Sequence, residues 1–230
     1  MSPTVKQTTW VPIRFNPIAK HMTEHPDNLK HLLDRAAGGD ESAMNELFNV
    51  HRDRLKKMVR MRLSRQVRGR VDDSDILQDA HLEAARRLQE YLKEPRTPFF
   101  LWLRKITSQK LVDVHRRHLG AQVRDARLEV NLHRGRMPMA SSVSLAAQLL
   151  GRLSSPSQAA VKAETRLLLQ DALGKMDEKD REVLSLRHFE GMTNLETAEE
   201  LGIEPTASTK RYVRALQRLQ CILRDLGLIE

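Results

Sequence analysis

The stretch TNLETAEELGIEPTASTKRYVRALQR, residues 193–218, decides how the C-terminal part of this chain is expected to fold. Thr193 and Glu196 have the spacing of a capping box, which favours the start of a short helix. Gly202 is suited to end that helix, and Pro205 is suited to the first position of a longer one. The pattern predicts a helix-turn-helix.

The second helix of this motif is polar at its start and basic along one side. Residues 206–224 contain five cations and no acid. In a helix-turn-helix, this helix enters the major groove, where its first turns contact base edges and later cations contact phosphates. The residues expected to face DNA are Thr206, Ser208, Thr209, Lys210, Arg211, Arg214 and Arg218. The alternative is an ordinary solvated basic helix.

The composition indicates a helical protein with a polyanionic partner. The chain has 230 residues and a net charge of +9, and proteins this basic are biased toward nucleic acids and other polyanions. Aromatic residues make up only 4%, so the cores are expected to be aliphatic. Glycine and proline contribute only 10 and 9 residues, which argues against a turn-rich β fold.

Several classes of protein are disfavoured by what the sequence lacks. The single cysteine, Cys221, excludes an intrachain disulfide framework and a cysteine-rich zinc site, and we expect it to face the interior. No apolar run has the length of a membrane span, and the first 20 residues lack an apolar signal core, so we expect a cytoplasmic protein without a membrane partner. Since we find no nucleophile–base arrangement and no glycine-rich phosphate loop, we predict neither an enzyme nor a cofactor.

Helical periodicity and capping residues predict an all-α fold with two small helical domains. Residues 27–118 are predicted to form a four-helix bundle, with Asp40 and either Asp72 or Asp73 as helix caps. Residues 164–230 are predicted to form the second domain, which contains the helix-turn-helix.

Two further segments lie outside the predicted domains. Residues 1–26 contain four prolines without periodicity and are expected to be a mobile extension. Residues 119–163 are expected to be a linker of about 45 residues. Within it, residues 143–153 have apolar side chains at helical spacing. This short amphipathic helix either docks against one domain or forms transiently in an open tether.

Two other segments are rich in basic residues, like the C-terminal helix. Residues 54–70 hold eight cations and no acid, and such a run would repel itself without a polyanion or an acidic surface nearby. Residues 104–118 hold five cations and one acid, and Gln109 among them is suited to a base edge. Trp102 could stack on a base, but its helical spacing from apolar neighbours favours a place in the core.

An acidic segment, DDSDILQD at residues 72–79, has the opposite charge. Acids in the first turn of a helix are favoured by the helix dipole, which is a sufficient structural reason for them. They also flank Leu77 and Gln78, which we expect to be exposed, so the segment would suit a basic protein partner. Metal binding is the lesser alternative, because clustered acids at a helix start are caps more often than ligands.

Three motifs together resemble the bacterial extracytoplasmic-function (ECF) sigma factors, which carry only the second and fourth conserved sigma regions. DILQD at 75–79 is similar to the D-L-V-Q-E motif that binds the clamp helices of the polymerase β′ subunit. FFLWLRKITSQKLVDVHRR at 99–117 is similar to F-x-x-W-L-x-x-I-x-x-N-x-x-x-D-x-x-R-R, the helix that reads the −10 promoter element with the loop before it. Residues 193–219 resemble the reader of the −35 element.

The resemblance implies a transcription initiation factor and not an enzyme. Residues 27–118 would be sigma region 2, and residues 164–230 would be sigma region 4. The implied contacts with core polymerase are Asp72, Asp73, Asp75, Ile76, Leu77, Gln78 and Asp79. The implied contacts with the −10 element are Arg96, Lys105, Gln109, Lys110, Asp113, Arg116 and Arg117. The implied partners are core RNA polymerase, through its β′ clamp helices and β flap, promoter DNA and, as a further candidate, an anti-sigma factor.

The sequence departs from the family pattern in three places. Gln109 stands where the family usually has Asn, and residues 207–211 read ASTKR in place of T-V-K-S-R, so the promoter preference cannot be carried over. The linker, which in the family passes the polymerase active-site cleft, is basic here. Two other functions stay open, a stand-alone helix-turn-helix regulator and a nucleoid or RNA-binding protein. Neither has a use for the acidic segment 72–79.

Overall fold

The computed structural model describes residues 26–119, 139–153 and 159–229. The expected extension, apart from Pro26, and residues 120–138 and 154–158 of the expected linker lie outside the described residues. In chain order the described helices are α1 (Pro26–Ala37), α2 (Glu41–Arg62), α3 (Arg65–Arg68), α4 (Asp73–Lys93), α5 (Phe99–Leu119), α6 (Ser142–Leu153), α7 (Ala159–Gly174), α8 (Glu178–Leu184), α9 (Asn194–Leu201) and α10 (Pro205–Asp225). A π-helical turn, Ser185–Phe189, continues α8. All regular elements of the described residues are thus helical, as predicted.

The predicted caps of the N-terminal helices are confirmed. A side-chain oxygen of Asp40 accepts hydrogen bonds from the backbone N–H groups of Ser42 and Ala43, at 2.9 and 3.2 Å. Arg35 donates to the same carboxylate at 2.9 Å, and this bond, with the one from Ala43, lowers the pKa of Asp40. Asp72 caps α4 by accepting from the N–H of Ser74 at 2.8 Å. Each cap satisfies backbone donors that have no partner within the helix.

The first hydrophobic cluster lies between the N-terminal helices. Its most deeply buried side chains include Leu47, Leu55 and Met58 of α2, Ile76, Leu77 and Ala80 of α4, and Leu103 and Leu111 of α5. Trp102 is half-buried against this cluster, with its ring 4.7 Å from Tyr91 and 5.4 Å from Phe99 between centroids. The structure therefore favours the core role for Trp102. The short helix α3 was not expected from the sequence.

The second hydrophobic cluster joins α6, α7, α8 and α10. It includes Leu145, Leu149, Leu169, Leu173, Val183 and Leu219. The amphipathic helix expected at 143–153 is therefore confirmed as α6, and it packs against both α7 and α2. On α7, Leu167 and Leu168 are exposed, because the apolar stripe of this helix runs through Leu169 and Leu173.

The helix-turn-helix forms as its sequence predicts. Thr193 accepts from the N–H of Glu196 at 3.1 Å, and Glu196 accepts from the N–H of Thr193 at 2.7 Å, which completes the capping box. Gly202 ends α9 with a φ of 62°, a left-handed conformation that favours glycine. Pro205 then begins α10. The two helices are thus held by local bonds that the sequence pattern encodes.

A buried ion cluster, formed by Arg62, Arg104, Glu182 and Glu190, joins the N-terminal helices to the C-terminal ones. Arg62 of α2 donates to both Glu182 and Glu190, and Arg104 of α5 donates to Glu190 at 2.9 Å. The side chains of Arg62 and Glu190 are 0% exposed. Burial alone would raise the pKa of Glu190, but Arg104 and Arg62 together lower it, so the carboxylate stays ionised.

Two buried histidines are held in the neutral form. The ring of His115 lies 2.9 Å from the carbonyl oxygen of Leu111 through Nδ1 and accepts from the N–H of Ser64 at 3.1 Å through Nε2. This arrangement requires a proton on Nδ1 alone. Burial lowers the pKa of His115, and burial together with the nearby charge of Arg54 lowers that of His51 to about 3.

No helix among the described residues is both long enough and apolar enough to cross a lipid bilayer.

Replacing Arg62 with methionine tests the ion cluster. The substitution Arg62→Met leaves the carboxylates of Glu182 and Glu190 buried with fewer partners, so we expect a loss of about 3–5 kcal/mol in the free energy of unfolding. The control is Arg60→Met, two residues away on α2, where an exposed guanidinium pairs with Asp73 and about 1 kcal/mol or less is at stake. Urea unfolding followed by circular dichroism measures both. Equal losses in the two variants would contradict the role given to the cluster.

The pH dependence of stability tests the burial of His51. Because the pKa of His51 is lower in the folded state than in the unfolded state, unfolding takes up a proton, and stability falls as the pH drops below about 6.5. Between about pH 6.5 and pH 5 this histidine accounts for roughly 2 kcal/mol. His51→Phe should flatten that decline, with a residual slope from His81 and His115, whose pKa values burial also lowers. The control His31→Phe, at an exposed site, should keep the full slope.

Candidate nucleic-acid interface

Helix α10 presents a basic outer face and an apolar inner face. Ala215, Leu219 and Leu223 are buried along its inner side. Five of the residues that were expected to face DNA are exposed, namely Thr206, Thr209, Lys210, Arg214 and Arg218. Arg211 is half-buried. The start of α10 and most of its cations are thus available to a polyanion.

Two expectations for α10 are wrong. Ser208 was expected to face DNA but is 0% exposed, because it lies seven and eleven residues before Ala215 and Leu219, on the same inward stripe. Cys221 was expected to face the interior but is exposed. Both residues were placed on the wrong side of α10, because a sequence pattern fixes the rotation of a helix about its axis only approximately.

Contacts from α8, the π turn and α9 set the orientation of α10. Tyr212 and His188 share a hydrogen bond of 2.9 Å, and burial raises the pKa of Tyr212. The side-chain amide of Asn194 donates to the carbonyl oxygen of Pro205 at 2.9 Å. Arg218 donates to Asp180 at 2.9 Å, although its side chain is largely exposed. No role was predicted for Tyr212 from the sequence. Its hydrogen bond to His188 holds α10 against the π turn.

Helix α5 carries a second polar face. Lys105, Gln109 and Asp113 are exposed at a spacing of four residues, and Arg116 and Arg117 continue the exposed surface. Lys110, also expected here, is half-buried and lies 3.3 Å from a carboxylate oxygen of Glu83. The structure therefore groups most of the expected −10 residues along one side of the helix.

Two nearby arginines have partners within the protein. Arg96, in the loop before α5, is exposed and pairs with Glu94 at 2.8 Å. Arg104 was counted with the basic residues of this helix, but it is buried and pairs with Glu190 and Glu200. Burial would lower the pKa of Arg104, and the carboxylates of Glu190 and Glu200 more than offset that effect. Arg104 therefore belongs to the protein interior and not to the exposed face of α5.

A cleft of about 700 Å³ runs along this face. It is lined by α4, by the loop before α5, by α5 itself and by α9. Trp102, Lys105 and Gln109 of α5 line the same cleft as Glu199 and Glu200 of α9. The cleft thus combines basic and aromatic side chains with acids that come both from the α4 side (Glu90 and Glu94) and from α9.

The acidic segment lies at the start of α4, and its apolar residues are turned inward. Asp75, Gln78 and Asp79 are exposed. Ile76 and Leu77 are each only 1% exposed, so the expectation that Leu77 is exposed is wrong. The two aliphatic side chains belong to the core of the bundle, since a helix that packs in a bundle buries one face. The surface offered to a partner is therefore polar and acidic.

Asp72 and Asp73, which precede the exposed part of the segment, have structural roles as well. Asp72 is exposed while it caps α4, and Asp73 is half-buried between Lys56 and Arg60. Among the described residues, no three His, Cys, Asp or Glu side chains are grouped so that they could hold a metal ion.

Acids of the same chain neutralise part of the basic run at 54–70. Arg54 donates to Glu196 at 3.1 Å and to the backbone oxygen of Glu190 at 3.0 Å. Arg60 and Lys56 lie beside Asp73, and Arg62 lies in the buried ion cluster. Four of the eight cations of the run are thus paired with acids from other parts of the same chain.

A helix-turn-helix whose second helix exposes several cations is typical of DNA-binding transcription factors. The chain belongs to the ECF sigma factor family, whose model matches residues 26–224. It therefore functions as a sigma factor, which binds core RNA polymerase and directs promoter recognition and transcription initiation. This assignment disfavours a stand-alone regulator.

Curated relatives agree with this family. The ECF RNA polymerase sigma factor SigD of Mycobacterium tuberculosis is 27% identical over 203 residues, which cover 88% of this chain and 87% of that protein. The ferric citrate uptake sigma factor FecI of Escherichia coli is 28% identical over 199 residues, which cover 86% of this chain and 100% of that protein.

A solved structure shares the fold. CnrH, in complex with the cytosolic domain of CnrY, matches with a TM-score of 0.51 at 24% identity. The match covers 86% of this chain and 99% of that chain. At this identity the likeness concerns the arrangement of helices alone.

Proposed function

We propose that this sigma factor uses three separate surfaces, one for polymerase and two for promoter DNA. The observation that carries the proposal is the division of charge among three helices. The start of α4 is acidic, whereas α5 and α10 each expose several cations. Opposite charge on separate faces suits a protein that must bind a protein partner and a polyanion at the same time.

The start of α4 is the proposed surface for core polymerase. Asp72, Asp75, Gln78 and Asp79 form its exposed part, and the β′ clamp helices are the proposed partner. Ile76 and Leu77 are buried in the bundle, and their packing holds the first turns of α4 so that these polar groups stay exposed. The C-terminal helices are proposed to contact the β flap, as the family resemblance implies.

The exposed faces of α5 and α10 are the proposed promoter surfaces. Lys105, Gln109, Asp113, Arg116 and Arg117 are assigned to the −10 element, with Arg96 and Lys110 at its margins. Thr206, Thr209, Lys210, Arg211, Arg214 and Arg218 are assigned to the −35 element. Ser208 is removed from this set because it is buried. The first turns of α10 would contact bases, and the later arginines would contact phosphates.

The proposed domain plan keeps sigma region 2 at 27–118 and sigma region 4 at 164–230. Helix α6, in the segment between them, packs on α7 and adds Leu145 and Leu149 to the second hydrophobic cluster. Residues 142–153 are therefore proposed to move together with region 4.

The partners and the cellular location follow from the function. Core RNA polymerase and promoter DNA are the required partners, and both are found in the bacterial cytoplasm. CnrH was solved with a protein partner, the cytosolic domain of CnrY. We include an anti-sigma factor among the candidate partners of this chain.

Neutralising the start of α4 tests the polymerase surface. The double variant Asp75→Asn/Asp79→Asn should weaken binding to purified core polymerase by roughly thirtyfold, which corresponds to about 2 kcal/mol. The control Asp34→Asn/Asp53→Asn removes two exposed acids elsewhere on the bundle and should bind as the wild type does. Fluorescence anisotropy with labelled sigma factor measures the affinity. Full binding by the folded Asp75/Asp79 variant would reject this surface.

Leu77→Ala separates packing from contact. Because Leu77 is buried, the change should lower the free energy of unfolding by about 2–5 kcal/mol. Any loss of polymerase binding should then be proportional to the fraction of the variant that is unfolded. Thermal unfolding of the same preparation measures that fraction.

Alanine substitutions along α10 test the −35 surface. With reconstituted holoenzyme and a promoter library randomised at the −35 element, Lys210→Ala and Arg211→Ala should relax or shift the selected sequence, with about 1–3 kcal/mol of discrimination at stake for a bidentate base contact. Arg218→Ala should weaken all sequences alike and reduce the salt slope by about one unit. The control Lys175→Ala removes an exposed cation just after α7 and should change neither quantity. Identical behaviour of the three α10 variants would leave only a non-specific basic surface.

A further inference from the structure

We propose that Val213 of α10 reads thymine in the −35 element, by packing against the methyl group that this base presents in the major groove. The inference rests on the proposed role of α10 as the −35 surface, and it names the base chemistry that one position of this surface recognises. The cations already assigned to the surface contact phosphates or donate hydrogen bonds to base edges, so they do not recognise a methyl group.

Val213 lies in the middle of the outer face of α10, where its side chain is 45% exposed. It follows Thr206 by seven residues, Thr209 by four and Lys210 by three, and these spacings place side chains on the same face of a helix. The buried Ala215 lies two residues further on, about 160° away round the helix axis. An α10 that enters the groove with its assigned residues toward the bases therefore brings Val213 with them.

Contacts of the preceding residue fix this orientation. Tyr212 shares a hydrogen bond of 2.9 Å with His188 of the π turn, and the guanidinium of Arg187 lies 5.3 Å from the centre of the tyrosine ring. Because neighbouring side chains point about 100° apart round a helix, a tyrosine held against the π turn leaves Val213 turned outward. Valine is also stiff, since a β-branched side chain in a helix has one strongly preferred χ1 rotamer. Its methyl groups are thus presented in one position, with little conformational entropy to lose on binding.

Thr209, one helical turn before Val213, adds to the apolar character of this part of the outer face. Its hydroxyl donates to the carbonyl oxygen of Pro205 at 3.1 Å. Because a hydroxyl carries a single hydrogen, Thr209 then offers a base only an acceptor and a methyl group. Thr209 and Val213 therefore form an apolar strip beside the donors of Thr206 and Lys210.

An apolar side chain in the major groove discriminates among base pairs. Guanine presents two acceptors there and cytosine presents an amino donor, whereas thymine presents a methyl group. If Val213 covered a G·C pair, those polar groups would lose water and gain no hydrogen bond, which is unfavourable. Over a thymine, the same contact removes two apolar surfaces from water. Val213 thus favours thymine both by attraction and by its poor fit to the alternative.

Removal of the methyl group alone tests the contact. The −35 element is selected with reconstituted holoenzyme from a library randomised at that element, and each thymine in it is then replaced in turn by uracil, which pairs identically and lacks only the methyl group. At one position the wild type should bind the uracil promoter about fourfold more weakly, the factor expected for one buried methyl group. Val213→Ala should bind the two promoters equally. Competition binding to a labelled promoter measures the affinities.

A matched valine elsewhere provides the control. Val143→Ala shortens an exposed valine of α6 in the same way and should keep the full loss with uracil. Alanine favours helix more than valine does, so both variants should fold, and circular dichroism checks this. The proposal is overturned if the selected element contains no A·T pair, if no uracil weakens binding of the wild type, or if Val213→Ala shows the same loss.

Methylation of cytosine separates the methyl group from the rest of the base pair. At the position found with uracil, a C·G pair should weaken binding of the wild type, and 5-methylcytosine in its place should recover about fourfold. Val213→Ala should not respond to this methylation, and an equal recovery in the variant would overturn the proposal. Failure of the proposed function is distinguishable, because the library would then show no −35 preference at all, and the present inference would be lost with it. A preference that persists without any dependence on Val213 would reject this inference alone.

Discussion

The burial of one carboxylate, that of Glu190, constrains how the rest of this protein is arranged. A charge taken fully out of water must be paired, and Glu190 finds its partners in Arg62 of α2 and Arg104 of α5. These helices are the centre of the N-terminal bundle, while Glu190 ends the π turn before the helix-turn-helix. The helix-turn-helix is therefore held against the N-terminal bundle by charges that belong to α2 and α5.

The same chain uses ionic groups in two different ways. Buried pairs join the N-terminal helices to the C-terminal ones, whereas the exposed cations of α5 and α10 are the ones proposed to contact phosphates and bases. Arg104 and Lys105 are neighbours in sequence, yet Arg104 is buried in the ion cluster and Lys105 is exposed on the proposed −10 face. The basic composition of a sigma factor is thus only in part a measure of its surface for DNA.

Local features were predictable from the sequence, and long-range pairings were not. The caps at Asp40 and Asp72, the capping box and the helix α6 follow from patterns within a few residues of one another. Ser208 and Leu77 were placed on the wrong side of their helices, because one position along a helix is a rotation of about 100° and apolar neighbours leave the phase uncertain. The partners of Arg62 lie more than a hundred residues away, and no pattern in the sequence links them.

Glu196 carries two duties on one oxygen atom, since its Oε2 accepts from the N–H of Thr193 and from Arg54. Glutamine can serve in the cap but cannot supply the charge, and aspartate is a methylene shorter. A glutamate codon becomes a glutamine codon by a single nucleotide change. One nucleotide change at this codon would therefore weaken the contact between α9 and Arg54 of α2, while the capping box that begins α9 is kept.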